Sequence, residues 1–134
     1  MISIDWDEYA LSIAEVVSRK SKDPWRKVGA CILRSDNSVA SVGYNGFPAG
    51  MPEDWSCRDH RRSFVIHAEQ NALRYIKPGE GTIIASTTLP CNDCLKAIKS
   101  YGINTIVYKE SYEFDSSTEE IAGLFGVKIK KITL

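Results

Sequence analysis

The chain has 134 residues, which suits one domain, residues 1–134, with a workable hydrophobic core. Its 17 lysines and arginines balance 17 aspartates and glutamates, so the net charge is zero and gives no electrostatic reason to expect a long nucleic acid as partner. No stretch reaches the apolar length of a membrane span, and Met1 to Glu8 is polar and acidic rather than signal-like, so cytoplasm is the expected location.

Along the chain, Trp6, Tyr9, Ala10, Ile13, Val16 and Val17 recur on one face and predict an opening helix over 6–19. Asp23-Pro24 breaks that pattern, and Val28 to Leu33 reads as a buried strand. Ser35 to Ser38 is a turn, and Val39 to Tyr44 returns as the second strand of a hairpin. Residues 45–59 form a loop rich in Gly and Pro, followed by a helix from about Ala68 to Ile76 that Pro78-Gly79 stops. Thr82 to Thr87 is a third strand, Cys91 to Tyr101 a helix ended by Gly102, and Ile103 to Tyr108 a fourth strand. Ser117 to Phe125 is a last helix, with Ser116 or Ser117 as cap, and Val127 to Thr133 a final strand. A hairpin followed by strand–helix alternation implies a mixed sheet with helices packed on its faces.

Two short motifs carry the chemistry. His67-Ala68-Glu69 opens one helix, and Pro90-Cys91-Asn92-Asp93-Cys94 opens the next. Cys91 and Cys94 lie one turn apart at a helix N-terminus, whose positive end favours thiolate over thiol. Pro90 fits there because a missing amide hydrogen costs little before the first turn. With His67 they offer three nitrogen or sulfur ligands to one Zn²⁺, which leaves a fourth tetrahedral position open to water. Such a water becomes acidic enough to supply hydroxide near neutral pH. Glu69, two residues from His67, is close to the metal without being needed as a ligand, and can take and return protons. Read singly, Cys91 and Cys94 fit a core or redox pair, and Glu69 a helix-start acid; together they form the His-x-Glu and Pro-Cys-x-x-Cys signature of zinc nucleobase deaminases. Cys31, inside an apolar strand, reads as core. Cys57 and His60, three apart, offer half of a second zinc site whose other half is missing nearby.

Val28-Gly29-Ala30-Cys31-Ile32, Gly43-Tyr44-Asn45-Gly46-Phe47-Pro48, His67-Ala68-Glu69-Gln70-Asn71-Ala72 and Leu89-Pro90-Cys91-Asn92-Asp93-Cys94 together closely resemble the deoxycytidylate (dCMP) deaminases, from about Asp23 to Val127. The resemblance implies a cytidine-deaminase-like α/β fold, a three-layer α/β/α sandwich around a mixed five-stranded sheet. It implies hydrolysis of dCMP to dUMP and ammonia toward thymidylate synthesis, one catalytic Zn²⁺ per chain, a homo-hexamer, and in many members activation by dCTP and inhibition by dTTP. By matching position, His67, Cys91 and Cys94 hold zinc and Glu69 moves protons, while Ala68, Asn45 and Tyr112 lie against the substrate. Asn45 is also a natural turn residue before Gly46, and both roles can hold at once.

Arg26 is the lead candidate for the phosphate, with Lys27, Arg58, Arg61, Arg62 and Lys109 as alternatives. Gly43, Tyr44, Asn45, Gly46 and Gly50 fall in the loop where family effectors bind, and their glycines would let backbone approach a triphosphate. The rivals are tRNA adenosine deamination, which the neutral charge disfavours, a dual dCMP/dCTP deaminase, and a non-catalytic nucleotide-sensing module on the same fold.

Overall fold

A computed structural model describes residues 3–111 and 117–134 of the chain. Its elements are α1 (Trp6–Ser18), β1 (Gly29–Leu33), β2 (Val39–Tyr44), α2 (Arg58–Arg62), α3 (Ala68–Leu73), β3 (Ile83–Thr88), α4 (Asn92–Ser100), β4 (Thr105–Glu110), α5 (Ser117–Phe125) and β5 (Lys128–Lys131). The strands form one sheet in the order β2-β1-β3-β4-β5. β1 pairs antiparallel with both β2 and β3, and β3, β4 and β5 run parallel, so the sheet is mixed.

The layering follows from the strands' own alternation. Side chains of a strand point to opposite faces with period two. Cys31 and Leu33 of β1, Ala85 of β3 and Val107 of β4 face α1, packing on Ala10, Leu11 and Ala14. Ala30 and Ile32, Ile84 and Ile106 face the other way, against Ala68, Ala72 and Leu73 of α3, Leu95 and Ile98 of α4, and Ala122 of α5. Every residue of β1 is buried, as expected of a central strand covered on both faces. The result is the expected three-layer α/β/α sandwich around five strands.

Two glycines bring the layers close. A Cβ on Gly29 would lie 2.0 Å from the Ala14 carbonyl oxygen of α1. One on Gly43 would lie 2.4 Å from the Ala72 nitrogen and 2.6 Å from the Ala68 oxygen of α3. Gly43 therefore seats α3 on β2, and that, rather than loop freedom, is what its missing side chain provides. Asn37, with φ 68°, makes the hairpin turn between β1 and β2.

Several boundaries depart from the sequence reading, among them β4, which is shifted to Thr105–Glu110, and β5, which is shortened to Lys128–Lys131. The helix expected to reach Ile76 stops at Leu73, with Arg74 as its C-cap. Cys91, expected as the first residue of its helix, is an N-cap with extended backbone, as is His67 before the helix that begins at Ala68 as expected. α2 was not expected: it has five residues, none buried, and so has no apolar period to betray it. Ser116 and Tyr112 lie outside the described residues.

Candidate metal centre and cleft

The metal ligands converge because two helices begin at the same place. Gly46 and Ile66 exchange backbone hydrogen bonds of 3.2 and 2.8 Å, which delivers the chain to His67 at the start of α3. At the C-terminal end of β3, the Leu89 N–H donates to the Glu110 carbonyl at 2.7 Å, and buried Pro90 then turns the chain into α4. His67 Nδ1 lies 3.3 Å from Cys94 Sγ and 3.5 Å from Cys91 Sγ. One ligand atom from each of the three residues falls within 4.8 Å of the others. Zinc bonds of about 2.1 Å to nitrogen and 2.3 Å to sulfur, at tetrahedral angles, put such a pair about 3.6 Å apart, so the triad fits the ion. Among the described residues this is the one group of three or more such ligands, and Cys57 and His60 join no other.

The electrostatics of the triad are those of a site arranged for a cation. The hydrogen bond from Cys94, then that from His67, hold the Cys91 thiol down at about 4. The same bond to Cys91, then burial, then the charge of Glu69, push the Cys94 thiol well above its ordinary value. His67 is raised, chiefly by its hydrogen bond to Cys91 and against its partial burial. The two thiols are thus shifted in opposite directions by their mutual contact. Cys31 is a contrast: burial alone pushes its thiol up to about 12, which makes it an inert core residue.

Glu69 is 4% exposed and lines the cleft, two residues after His67. Its Oε1 accepts a 2.6 Å hydrogen bond from the Ser86 hydroxyl. The cleft beside it has a volume of about 640 Å³. Its walls include His67, Ala68, Glu69 and Cys91, with Thr88, Leu89, Pro90 and Thr118. Arg26, Arg58, Arg61 and Arg62 also line it, with Asp23, Trp25 and Asn45. Four guanidinium groups against two carboxylates make the cleft cationic within a chain of zero net charge.

Asp23 organises that wall and was legible only as a breaker before Pro24. It is fully buried, and its Oδ1 accepts from the Trp25 and Arg26 backbone nitrogens at 2.8 and 3.1 Å. Its Oδ2 takes Arg61 Nη1 at 3.0 Å and Asn45 Nδ2 at 3.2 Å. Arg61 also lies over the Trp25 ring, 5.4 Å from its centroid. Asn45 completes the network, donating to the Arg26 carbonyl at 2.9 Å and accepting from the Val28 N–H at 2.9 Å. Asn45 lines the cleft with its amide engaged on both sides, so it fixes the segment bearing Arg26.

The remaining sequence candidates divide. Arg26, Arg58, Arg61 and Arg62 all reach the cleft. Lys27 and Lys109 do not: Lys27 bonds the Ser21 carbonyl, Lys109 bonds Glu15 at 2.6 Å, and both line a separate polar hollow. Of the loop residues considered for an effector, Asn45 alone lines the cleft. Gly43 lies beneath α3, the Tyr44 carbonyl accepts from Asn71 at 2.8 Å, Gly46 bridges Ile66, and Gly50 turns in the open with φ 84°. Asp23, Trp25, Ser86, Thr88 and Thr118 are site residues that sequence reasoning missed.

The sequence matches the model of the cytidine and deoxycytidylate deaminase zinc-binding region over residues 4–110. It is 32% identical to the deoxycytidylate deaminase of Mus musculus, over 97% of this chain and 81% of that protein. It is 33% identical to a probable deoxycytidylate deaminase of Drosophila melanogaster, over 86% of this chain and 64% of that protein. The dCMP deaminase of cyanophage S-TIM5, solved in complex with dCMP and dUMP, superposes with a TM-score of 0.81 at 29% identity, over 98% of this chain and 100% of that one. Among the described residues, no helix is long and apolar enough to cross a membrane.

Proposed function

The chain belongs to the cytidine and deoxycytidylate deaminase family, and from that membership we propose that it hydrolyses dCMP to dUMP and ammonia. The observation that carries the reading is one cleft lined by residues of a three-ligand zinc site, a buried carboxylate and four arginines. His67, Cys91 and Cys94 hold the zinc, which when bound supplies a water acidic enough to react as hydroxide at neutral pH. The Glu69 carboxylate accepts the proton of the attacking water. It returns protons to the ring nitrogen and to the departing amine, so that water and cytosine give uracil and ammonia. Ala68, which lines the cleft beside His67, packs against the base, and Tyr112, outside the described residues, is carried over as a substrate contact. Both are assigned by matching position.

The arginine-lined cleft fits a nucleoside monophosphate. Asp23 engages Arg61, and Arg26, Arg58 and Arg62 line the same cleft, where guanidinium groups would meet a phosphate dianion. Arg26 remains the lead contact, because Asp23 and Asn45 fix its backbone on both sides. Asn45 serves the sugar end by holding that segment in place. The reading includes a chain that works as one domain in the cytoplasm, a homo-hexamer, and control by dCTP and dTTP through the 43–50 loop. The hexamer and the effector control rest on the family resemblance.

A steady-state assay of zinc-loaded protein with dCMP, dCDP, dCTP and deoxycytidine, each with and without added dCTP or dTTP, tests the proposal. The expected result is release of ammonia from dCMP with a kcat/KM at least about 100-fold above that for deoxycytidine, the scale of a desolvated charge-assisted contact. Equal use of the free nucleoside removes the phosphate assignment. Equal use of dCTP makes the enzyme a dual deaminase. No turnover of any cytosine nucleotide makes the chain a binding module. Unchanged dCMP kinetics with both triphosphates removes the regulatory part alone.

A further inference from the structure

β3 contains a polar residue that the core does not require. Ile84, Ser86 and Thr88 alternate onto the face of the sheet that α3 and α4 cover, and Ile84 there is ordinary core. Ser86 is fully buried. Its hydroxyl lies 2.7 Å from the carbonyl oxygen of Thr88, two residues along its own strand, and that bond alone would satisfy a buried serine. Yet the same oxygen lies 2.6 Å from Glu69 Oε1, on a different element. The hydroxyl therefore crosses from sheet to helix and links the carboxylate to the backbone that leads through Pro90 into Cys91.

We propose that Ser86 is a positioning residue for the deamination reaction: its hydroxyl pins Glu69 Oε1 so that the other carboxylate oxygen is presented to the open corner of the metal site and to the substrate. The inference rests on the dCMP deaminase reading. A glutamate side chain has three rotatable bonds, and without a fixed partner its carboxylate would sample several orientations at the cleft wall. One contact to Oε1 removes that freedom and leaves one oxygen for the chemistry. The hydroxyl has a single hydrogen and two acceptors in reach, the Glu69 carboxylate and the Thr88 carbonyl, and so ties the carboxylate to the strand.

The test compares Ser86→Thr with Ser86→Val, which have nearly the same shape and differ by the hydroxyl. Both are loaded with zinc, their metal content is measured, and their folding is checked by thermal denaturation. The expected result is a kcat for dCMP about tenfold lower in Ser86→Val than in Ser86→Thr, the low end of effects for groups that orient a site residue. KM, inhibition by dUMP and zinc content should agree within twofold, because Ser86 touches neither the phosphate wall nor the metal ligands. Equal kcat in the two variants overturns the inference, as does a loss that follows zinc content or KM instead. Ser86→Ala gives a second reading if the larger side chains disturb β3: it too should lose kcat and keep zinc, and wild-type kcat in it overturns the proposal. Wild-type protein that fails to deaminate dCMP would refute the functional reading itself, a result separate from any difference between variants.

Discussion

Replacing Asp23 by alanine should destabilise the protein more than any other single change to the cleft wall. The carboxylate is fully buried and accepts four hydrogen bonds, from Trp25, Arg26, Asn45 and Arg61. Its loss leaves the Arg61 guanidinium, with its side chain 13% exposed, without a counter-charge. Removing one partner of a buried pair costs about 3–5 kcal/mol, because the other charge stays behind unpaired. For a chain of this size that corresponds to a fall in Tm of about 10–15 °C. Arg61→Met is the gentler single change, since it leaves Asp23 with three donors and keeps apolar cover over Trp25. It should cost about 1–3 kcal/mol, the range for a hydrogen bond to a charged group. In the double variant neither charge is stranded, so its loss should be smaller than the sum of the singles by about 1–3 kcal/mol. Urea and thermal denaturation of the zinc-loaded proteins, followed by circular dichroism, measure all four corners of the cycle. A Tm for Asp23→Ala within about 2 °C of wild type, or single losses that add to within about 0.5 kcal/mol, would refute the argument.

Glu69→Gln keeps the shape and one acceptor for Ser86 but cannot take up a proton; kcat should fall by at least about 100-fold with zinc content unchanged, as read by ammonia release and atomic absorption. Gly43→Ala drives a methyl group into the α3 backbone at Ala72 and Ala68. Because α3 bears Glu69 and begins at His67, this change should cost more than about 3 kcal/mol and lower zinc retention and activity together, which denaturation and metal analysis would show. Zinc uptake by the metal-free protein at pH 7 should release a proton from Cys94, whose thiol lies well above its ordinary value, while Cys91, held at about 4, is already ionised. Indicator dye in weak buffer should therefore report close to one proton per zinc, plus any carried by His67, and a lower zinc affinity below neutral pH.

What the sequence revealed was local, and what it hid was assembled from afar. Cys91 with Cys94 is legible because a spacing of three is one turn of helix, and His67 with Glu69 because the two lie together at one helix start. The β1–β2 hairpin is legible for the same reason, through the turn at Asn37. Asp23 was readable only as a breaker, because its partners lie as far along the chain as Asn45 and Arg61 and are brought to it by the sheet. Ser86 was invisible as a site residue: its spacing to Glu69 matches no helix or strand period. Gly43 read as a ligand loop, since close contact with a helix from elsewhere leaves no local mark. The basic candidates could not be ranked by sequence. Arg58, Arg61 and Arg62 reach the cleft on a five-residue helix without an apolar face, while Lys27 and Lys109 point to a different hollow.

His67 and Cys91 stand at the N-caps of α3 and α4, and neither side chain makes the hydrogen bond usual at that position. Serine, threonine, asparagine or aspartate there would satisfy one of the orphan amides of the first turn. Committing these positions to a metal leaves both helix starts poorly secured without it. Chelation should therefore do more than stop turnover: deuterium should enter the backbone at 68–70 and 92–94 first, and the two ends should fray as one, because a single ion is their common clasp.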